Sequence, residues 1–310
     1  MILVIGGTGR LGRQIVELLN GQPVRVLTRD PARARTIVGG LPGVEVVGGD
    51  LLVRSDLVTA LAGADVVIVT AHGGEGTGRS GPGGIEGRGL PQLIDLAATA
   101  PPKQFIYLSS ASARLDSPSD FFRGKAAVEN RLRTGPIPYS ILRPTHLLDT
   151  WVPMLAEPLA RKSRQMIIGH GRNPVSWVAG RDVAAAAARL AAESGRGRTE
   201  DLGGLQALTL RELNEQIQLA LDIQPAKTTA MSPGMLRATS RILRPFNGVL
   251  ARQMQLGALL DTRPQVIDSS AVWEQLGITP TAIPDWLHAT LPGLLAGWGL
   301  PAQLTTPKDA

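Results

Sequence analysis

The chain contains no cysteine, which removes disulfides, thiolate metal sites and cysteine nucleophiles from consideration. No apolar run approaches the roughly 20 residues that cross a bilayer, so no transmembrane segment is expected. No pair of acids or histidines has metal-ligand spacing, and a metal site is not expected. Dense basic clusters are missing as well. The formal net charge of +6, carried mostly by arginine, is spread over 310 residues, so no nucleic-acid partner is expected. The first strand-like run begins at residue 2, which leaves no space for a secretory leader. The expected location is the cytoplasm.

What is present begins at once. Ile2-Leu3-Val4-Ile5 is an apolar run of strand length that passes into Gly6-Gly7-Thr8-Gly9-Arg10-Leu11-Gly12. Ile15, Val16, Leu18 and Leu19 follow at helical spacing. Strand, glycine turn and helix in that order suit the pyrophosphate of a dinucleotide. The glycines let the backbone approach the phosphates, while the helix N-terminus supplies free N–H groups and a favourable dipole. Gly6, Gly7, Thr8, Gly9, Arg10, Leu11 and Gly12 are therefore the first candidate cofactor-binding residues.

Further strand-like runs start at Val24, Val44, Asp65, Phe105 and Tyr139. Helical patterns lie at about 31–38, 54–62, 85–99 and 119–133. This alternation predicts an α/β fold, a doubly wound parallel (Rossmann) sheet whose ligands sit at the carboxyl ends of the strands. Residues 73–84 interrupt it with seven glycines and Pro82; they read either as a disordered surface loop or as a lid, and mobility is expected of both.

The second half is less regular. An Ala-rich helix is expected at 181–194, a helix capped by Thr209 and Glu212 runs to Leu221, and 234–260 reads as one or two amphipathic helices broken near Pro245. A last helix near 284–297 carries Trp286 and leads to Trp298, and the tail from Pro301 is expected to fray. The domain reading is a core of 1–150, rejoined by 175–223. A small, mainly helical C-terminal cap of 151–174 and 224–300 would shape a substrate pocket, and 301–310 is the tail.

The second strand ends Leu27-Thr28-Arg29. An acid there would grip ribose hydroxyls; Arg29 instead suits a 2′-phosphate, which Arg10 also reaches, so NADP(H) is preferred over NAD(H). Asp30 precedes Pro31 and reads as a helix N-cap. Asp50, followed by Leu51, reads either as an acceptor for an adenine amino group or as a turn residue. Thr70 and Ala71 are small residues at the fourth strand end, where a cofactor lies across the sheet. His72 reads as a loop histidine or a substrate contact.

Taken together, these residues resemble the atypical short-chain dehydrogenases/reductases, and within them the NmrA-like NAD(P)-binding group. The resemblance is carried by the Gly6–Gly12 turn, Thr28-Arg29-Asp30-Pro31, Gly49-Asp50-Leu51 and Ile85-Glu86-Gly87. It continues through Phe105-Ile106-Tyr107-Leu108-Ser109-Ser110, Lys125-Ala126-Ala127-Val128-Glu129, Ile141-Leu142-Arg143-Pro144 and Asp182-Val183-Ala184. It spans about residues 1–225 and fades beyond.

Reductases of the wider superfamily place a tyrosine acid four residues before a lysine; here Lys125 is preceded at that spacing by Phe121. A phenyl ring carries no proton. The usual assisting serine falls at Ala111 or Ser112. The resemblance assigns Lys125 to the cofactor and, secondarily, to catalysis, against the alternative of an exposed helix lysine. It sets Thr70, Ala71, Ser109, Lys125 and Pro144 along the nicotinamide half. His72, Ser112, His146 and Trp151 are the candidate substrate contacts. The leading function is an NADPH-dependent oxidoreductase transferring hydride to a quinone-like, dye-like or other conjugated small molecule. The alternatives are a non-enzymatic NADP(H) redox sensor with a protein partner, and a cofactor-stabilised assembly factor whose Trp286 and Trp298 region docks on a protein or membrane.

Overall fold

A computed structural model describes residues 1–300 apart from 196, 226, 244 and the side chain of 260. The tail 301–310, expected to fray, lies outside the described residues. The chain divides into two compact units. The first holds Met1–Pro144, Gly180–Leu202 and Glu274–Ile278, and the second holds Thr145–Ala179, Gly203–Trp273 and the residues from Thr279 on.

In chain order the first unit has β1 (Ile2–Ile5), α1 (Arg10–Leu18), β2 (Val24–Thr28), α2 (Pro31–Val38), β3 (Val44–Gly48), α3 (Arg54–Leu61) and β4 (Val66–Val69). It continues with α4 (Leu90–Thr99), β5 (Gln104–Leu108), α5 (Asp120–Thr134) and β6 (Tyr139–Pro144). The second unit then begins with α6 (Leu148–Lys162), β7 (Arg164–Ile168) and β8 (Val175–Ser176). The chain returns to the first unit through α7 (Gly180–Ala191) and β9 (Arg198–Leu202). The second unit resumes with β10 (Ala207–Leu208), α8 (Leu210–Leu221), β11 (Lys227–Met231), α9 (Pro233–Leu243) and α10 (Gly248–Leu260). Helix α11 (Ser270–Leu276) spans the division at Trp273, and α12 (Ile283–Gly297) completes the second unit.

The first unit is a seven-stranded parallel sheet in the order β3-β2-β1-β4-β5-β6-β9, the doubly wound arrangement expected. β1 and β4 are apolar and buried along their whole length, as strands covered by helices on both faces must be. One face packs Leu57 of α3, Leu90 and Leu93 of α4, and Val128 and Leu132 of α5 on Leu3, Val67, Phe105 and Ile141. On the other face α1 packs against the alanine-rich α7. The seventh strand, Arg-Thr-Glu-Asp-Leu at β9, was not expected from its polar sequence. Among the described residues it pairs with β6 alone, at the sheet edge, where its four polar residues are partly buried.

The second unit surrounds Trp177. Leu148, Val152, Leu155 and Leu159 of α6, Leu210, Leu213 and Ile217 of α8, and Ile283, Leu287 and Leu291 of α12 form its core. The segment that returns to the first unit is Gly180–Leu202, and the apolar face of α8 packs with α6 and α12. The expected capping box of α8 is present, with Glu212 N donating to Thr209 Oγ1 at 3.2 Å and Thr209 N to Glu212 Oε2 at 2.7 Å. Trp286 is 3 % exposed and Trp298 packs against the same core. Neither ring presents the free docking face considered above. Among the described residues no helix is long and apolar enough to cross a membrane.

Candidate functional site

All the core strands of the first unit run parallel, so their carboxyl ends lie along one edge of the sheet. That edge gathers Gly6 after β1, Arg29 after β2, Asp50 after β3, Thr70 and Ala71 after β4, Ser109 after β5 and Pro144 at the end of β6.

The glycine turn is tightly specified. Gly6 has φ +90°, and a Cβ there would fall 2.6 Å from both Ala71 N and Thr70 Oγ1. A Cβ on Gly12 would fall 2.1 Å from the Gly6 carbonyl oxygen, so only glycine lets α1 start this close to the strand. Thr70 Oγ1 donates to the Ile5 and Gly6 carbonyls at 3.2 and 3.1 Å, which ties β4 to the turn. Helix α1 has no capping side chain and no acid in its first turn. An uncapped N-terminus with backbone brought close by glycines is a receptor for an anion, and it fits the diphosphate of a dinucleotide.

Asp30 is spent on α2, accepting from Arg33 N at 3.0 Å with Pro31 at the first helical position. Arg29 is the group left at the end of β2, and its Nη1 donates to Ser80 Oγ at 2.9 Å. Asp50 Oδ1 accepts from Leu52 N at 2.9 Å, the turn role weighed above, while Oδ2 lies 3.5 Å from Arg79 Nη2. Ser80 and Arg79 both come from the glycine-rich segment 73–84. That segment carries a 3₁₀ turn at Gly78–Ser80 and is closed by its own bonds, among them Gly76 N to Gly73 O and Gly84 N to Gly81 O, each at 3.0 Å. Its start is fixed by the buried Glu86 carboxylate, which accepts from Gly73 N at 3.0 and 3.1 Å.

Lys125 is only 4 % exposed, which excludes the exposed-lysine alternative. Its Nζ donates to the Leu108 carbonyl at 2.8 Å and stands 5.1 Å from the Tyr107 ring centre and 5.3 Å from that of Phe121. Burial pulls its pKa down to about 8, against the opposing pull of the Glu86 and Glu129 carboxylates. Ser109 Oγ donates to Glu129 Oε1, while Arg133 and Arg143 pair with the same carboxylate at 2.9 and 3.3 Å. Tyr107 is fully buried, and burial, then the charges of Glu86 and Glu129, push its phenol well above the ordinary range.

Phe121 occupies the position of the absent tyrosine, its ring 5.7 Å from that of His72. Gly74 N donates to His72 Nδ1 at 3.1 Å, which requires that nitrogen without a proton. Desolvation, then the Lys125 charge, lowers the His72 pKa. Ser112 N bonds Ser110 Oγ at 3.2 Å. His146 and Trp151 belong to the second unit, where their rings meet each other at a tilt, with centres 5.4 Å apart, and meet Trp177 edge-on at 5.7 and 5.8 Å. Among the described residues no cluster of acids and histidines could hold a metal ion.

Sequence reasoning missed Glu86 and Glu129 as site residues, together with the packing of Tyr107 on Lys125. The available signal was the Lys125–Glu129 spacing, which puts both side chains on one face of α5.

A parallel sheet with an uncapped helix and a glycine turn at its carboxyl edge defines a dinucleotide-binding protein. The chain belongs to the NAD(P)H-binding family, whose sequence profile matches residues 6–193, and the resemblance to NmrA-like atypical short-chain dehydrogenases/reductases is borne out. It is 28 % identical to an NAD(P)H azoreductase of Xenophilus azovorans over 86 % of this chain and 92 % of that one. It is 26 % identical to the photosystem II assembly factor Ycf39 of Guillardia theta over 91 % of this chain and 90 % of that one. Its fold matches the NADPH-dependent quinone oxidoreductase QOR2 of Escherichia coli complexed with NADPH. The TM-score is 0.77 at 22 % identity, covering 94 % of this chain and all of that one.

The lowered pKa of Lys125 has a consequence for stability. Between pH 8 and the ordinary lysine value of 10.5 the unfolded chain holds a proton that the folded chain has released, so stability rises with pH across that window. Denaturant unfolding of the wild type and Lys125→Met should show the wild type gaining on the variant from pH 8 to 10.5. A pH-independent difference would contradict the assignment.

Proposed function

We propose that the protein is an NADPH-dependent reductase that passes hydride to a conjugated small-molecule acceptor, quinone-like or dye-like, without a tyrosine general acid. The observation that carries this reading is Phe121 beside Lys125: a buried cation is kept where the family places it, but the tyrosine hydroxyl is gone. A simple ketone needs a proton as its alkoxide forms. A quinone accepting hydride becomes a delocalised hydroquinone anion, which takes its proton from water. The similarity to an azoreductase and the fold shared with a quinone oxidoreductase support an acceptor of this kind.

In this reading Gly6, Gly7, Thr8, Gly9, Arg10, Leu11 and Gly12 hold the diphosphate through the α1 N-terminus. Arg29 pairs with the 2′-phosphate, and Asp50 and Leu51 flank the adenine. Thr70, Ala71, Ser109, Lys125 and Pro144 line the nicotinamide half, with His72 and Ser112 toward the acceptor. NADPH, when bound, supplies the hydride. Lys125 holds a positive charge below pH 8 and orients the ribose, while Glu129 fixes Ser109 through its hydrogen bond.

A second reading, an NADP(H)-binding assembly factor without turnover, draws on the likeness to Ycf39, which runs almost the full chain.

One experiment separates these readings, and a second tests the cofactor assignment common to both. NADPH oxidation should be seen with simple quinones or azo dyes; tight NADPH binding with no oxidation across such a panel supports the second reading instead. Titration calorimetry of Arg29→Asp should show NADPH affinity reduced about tenfold or more, the scale of a charge-assisted hydrogen bond, with NADH little changed. Equal losses for both cofactors would overturn the 2′-phosphate role.

A further inference from the structure

In the second unit α9 and α10 pack on one another, and Ser240 Oγ of α9 donates to the Ala251 carbonyl of α10 at 2.7 Å. At about 3.6 residues per turn, α9 resolves into three sectors. Leu236, Ser240 and Leu243 form one, which holds the contact with α10 and the 2 % exposed Leu236. Met235, Ala238 and Ile242 form an outward apolar sector, continued past the helix end by Phe246. Met235 is 49 % exposed, Ile242 68 % and Phe246 85 %. Arg237 and Arg241 form the third sector beside it, both exposed and without an ion-pair partner among the described residues. The surrounding sequence has one sign: from Ile223 to Leu260 there is no Asp or Glu, against Lys227, Arg237, Arg241, Arg244 and Arg252.

We propose that the outward face of α9, with Phe246 at its end, docks peripherally on an anionic lipid bilayer. Large apolar side chains grouped on one exposed face call for a partner, and the flanking arginines select an anionic one. Met235, Ala238, Ile242 and Phe246 offer no side-chain hydrogen bonds, which suits an acyl boundary better than the polar surface of an acidic protein. The arginines lie along the same helix, where their stems cover apolar surface and their guanidinium groups reach lipid phosphates. An 11-residue helix is far shorter than a bilayer core, so it lies in the interface rather than crossing it. This inference does not depend on the protein being a reductase.

The test is flotation of the full chain with phosphatidylcholine vesicles, with and without phosphatidylglycerol. Binding is expected with phosphatidylglycerol and should weaken as salt rises. Arg237→Gln and Arg241→Gln should each reduce the vesicle partition constant about fivefold, the effect of one basic residue near the surface. Phe246→Asp should reduce it about tenfold or more, and circular dichroism should confirm that each variant is folded. Absence of binding to the anionic vesicles would overturn the proposal, as would binding that none of the three substitutions changes. A dimer in sedimentation that Phe246→Asp dissolves, with no vesicle binding, would overturn it in favour of a self-association face.

Discussion

The first unit is arranged around one close approach, that of Gly12 to the Gly6 carbonyl, where a single methyl group would sit 2.1 Å from the oxygen. Because nothing larger than hydrogen fits, α1 begins directly above the end of β1 and its first-turn N–H groups point over the carboxyl edge of the sheet. Thr70 holds the turn from the neighbouring strand. The rest of the edge is organised by the parallel order of the strands, which delivers Arg29, Asp50, Ala71 and Ser109 to the same line. The family match over residues 6–193 covers this region.

A second constraint is electrostatic. Lys125 is buried, and burying a cation is costly unless it is compensated. Here the Leu108 carbonyl accepts from it, and two buried carboxylates, Glu86 and Glu129, hold its pKa up against desolvation. Each carboxylate is itself engaged: Glu86 by the Gly73 amide, Glu129 by Ser109 and two arginines. The same network thus fixes the lysine, the serine and the start of the glycine-rich segment. What it lacks is a tyrosine hydroxyl of ordinary acidity, since Phe121 has none and the buried Tyr107 phenol is driven far from ionisation. In the proposed reading, the acceptor stabilises its own negative charge.

The parts of this arrangement that were legible in the sequence are those governed by local rules. β1 through β6 are apolar runs bounded by turns, and α2 announces itself by Asp30 and Pro31. The capping box of α8 follows from Thr209 and Glu212. Helix α6 was not read because Pro153 and Pro158 sit inside it, where proline ordinarily ends a helix. Five of its apolar residues nevertheless pack into the second core, and that tertiary packing prevails. β9 was missed because an edge strand tolerates four polar residues in five. At the site, the glycine turn and Lys125 were found by pattern. The burial of Glu86 and the contacts of Arg29 and Asp50 with residues 79 and 80 depend on how a loop folds back, which no periodicity encodes. Trp286 lies in the core, as its amphipathic pattern suggests, while the exposed Phe246 carries no periodic signal.

The central claim is direct hydride delivery at a site with no tyrosine acid. It is tested most directly by a single-turnover comparison of NADPH and NADPH deuterated at C4, with a simple quinone as acceptor, in water and in heavy water. The account predicts slower oxidation of the deuterated cofactor with only a weak effect of heavy water, since the proton arrives after the hydride. Equal rates for the two cofactors, or a solvent effect as large as that of the label, would contradict it.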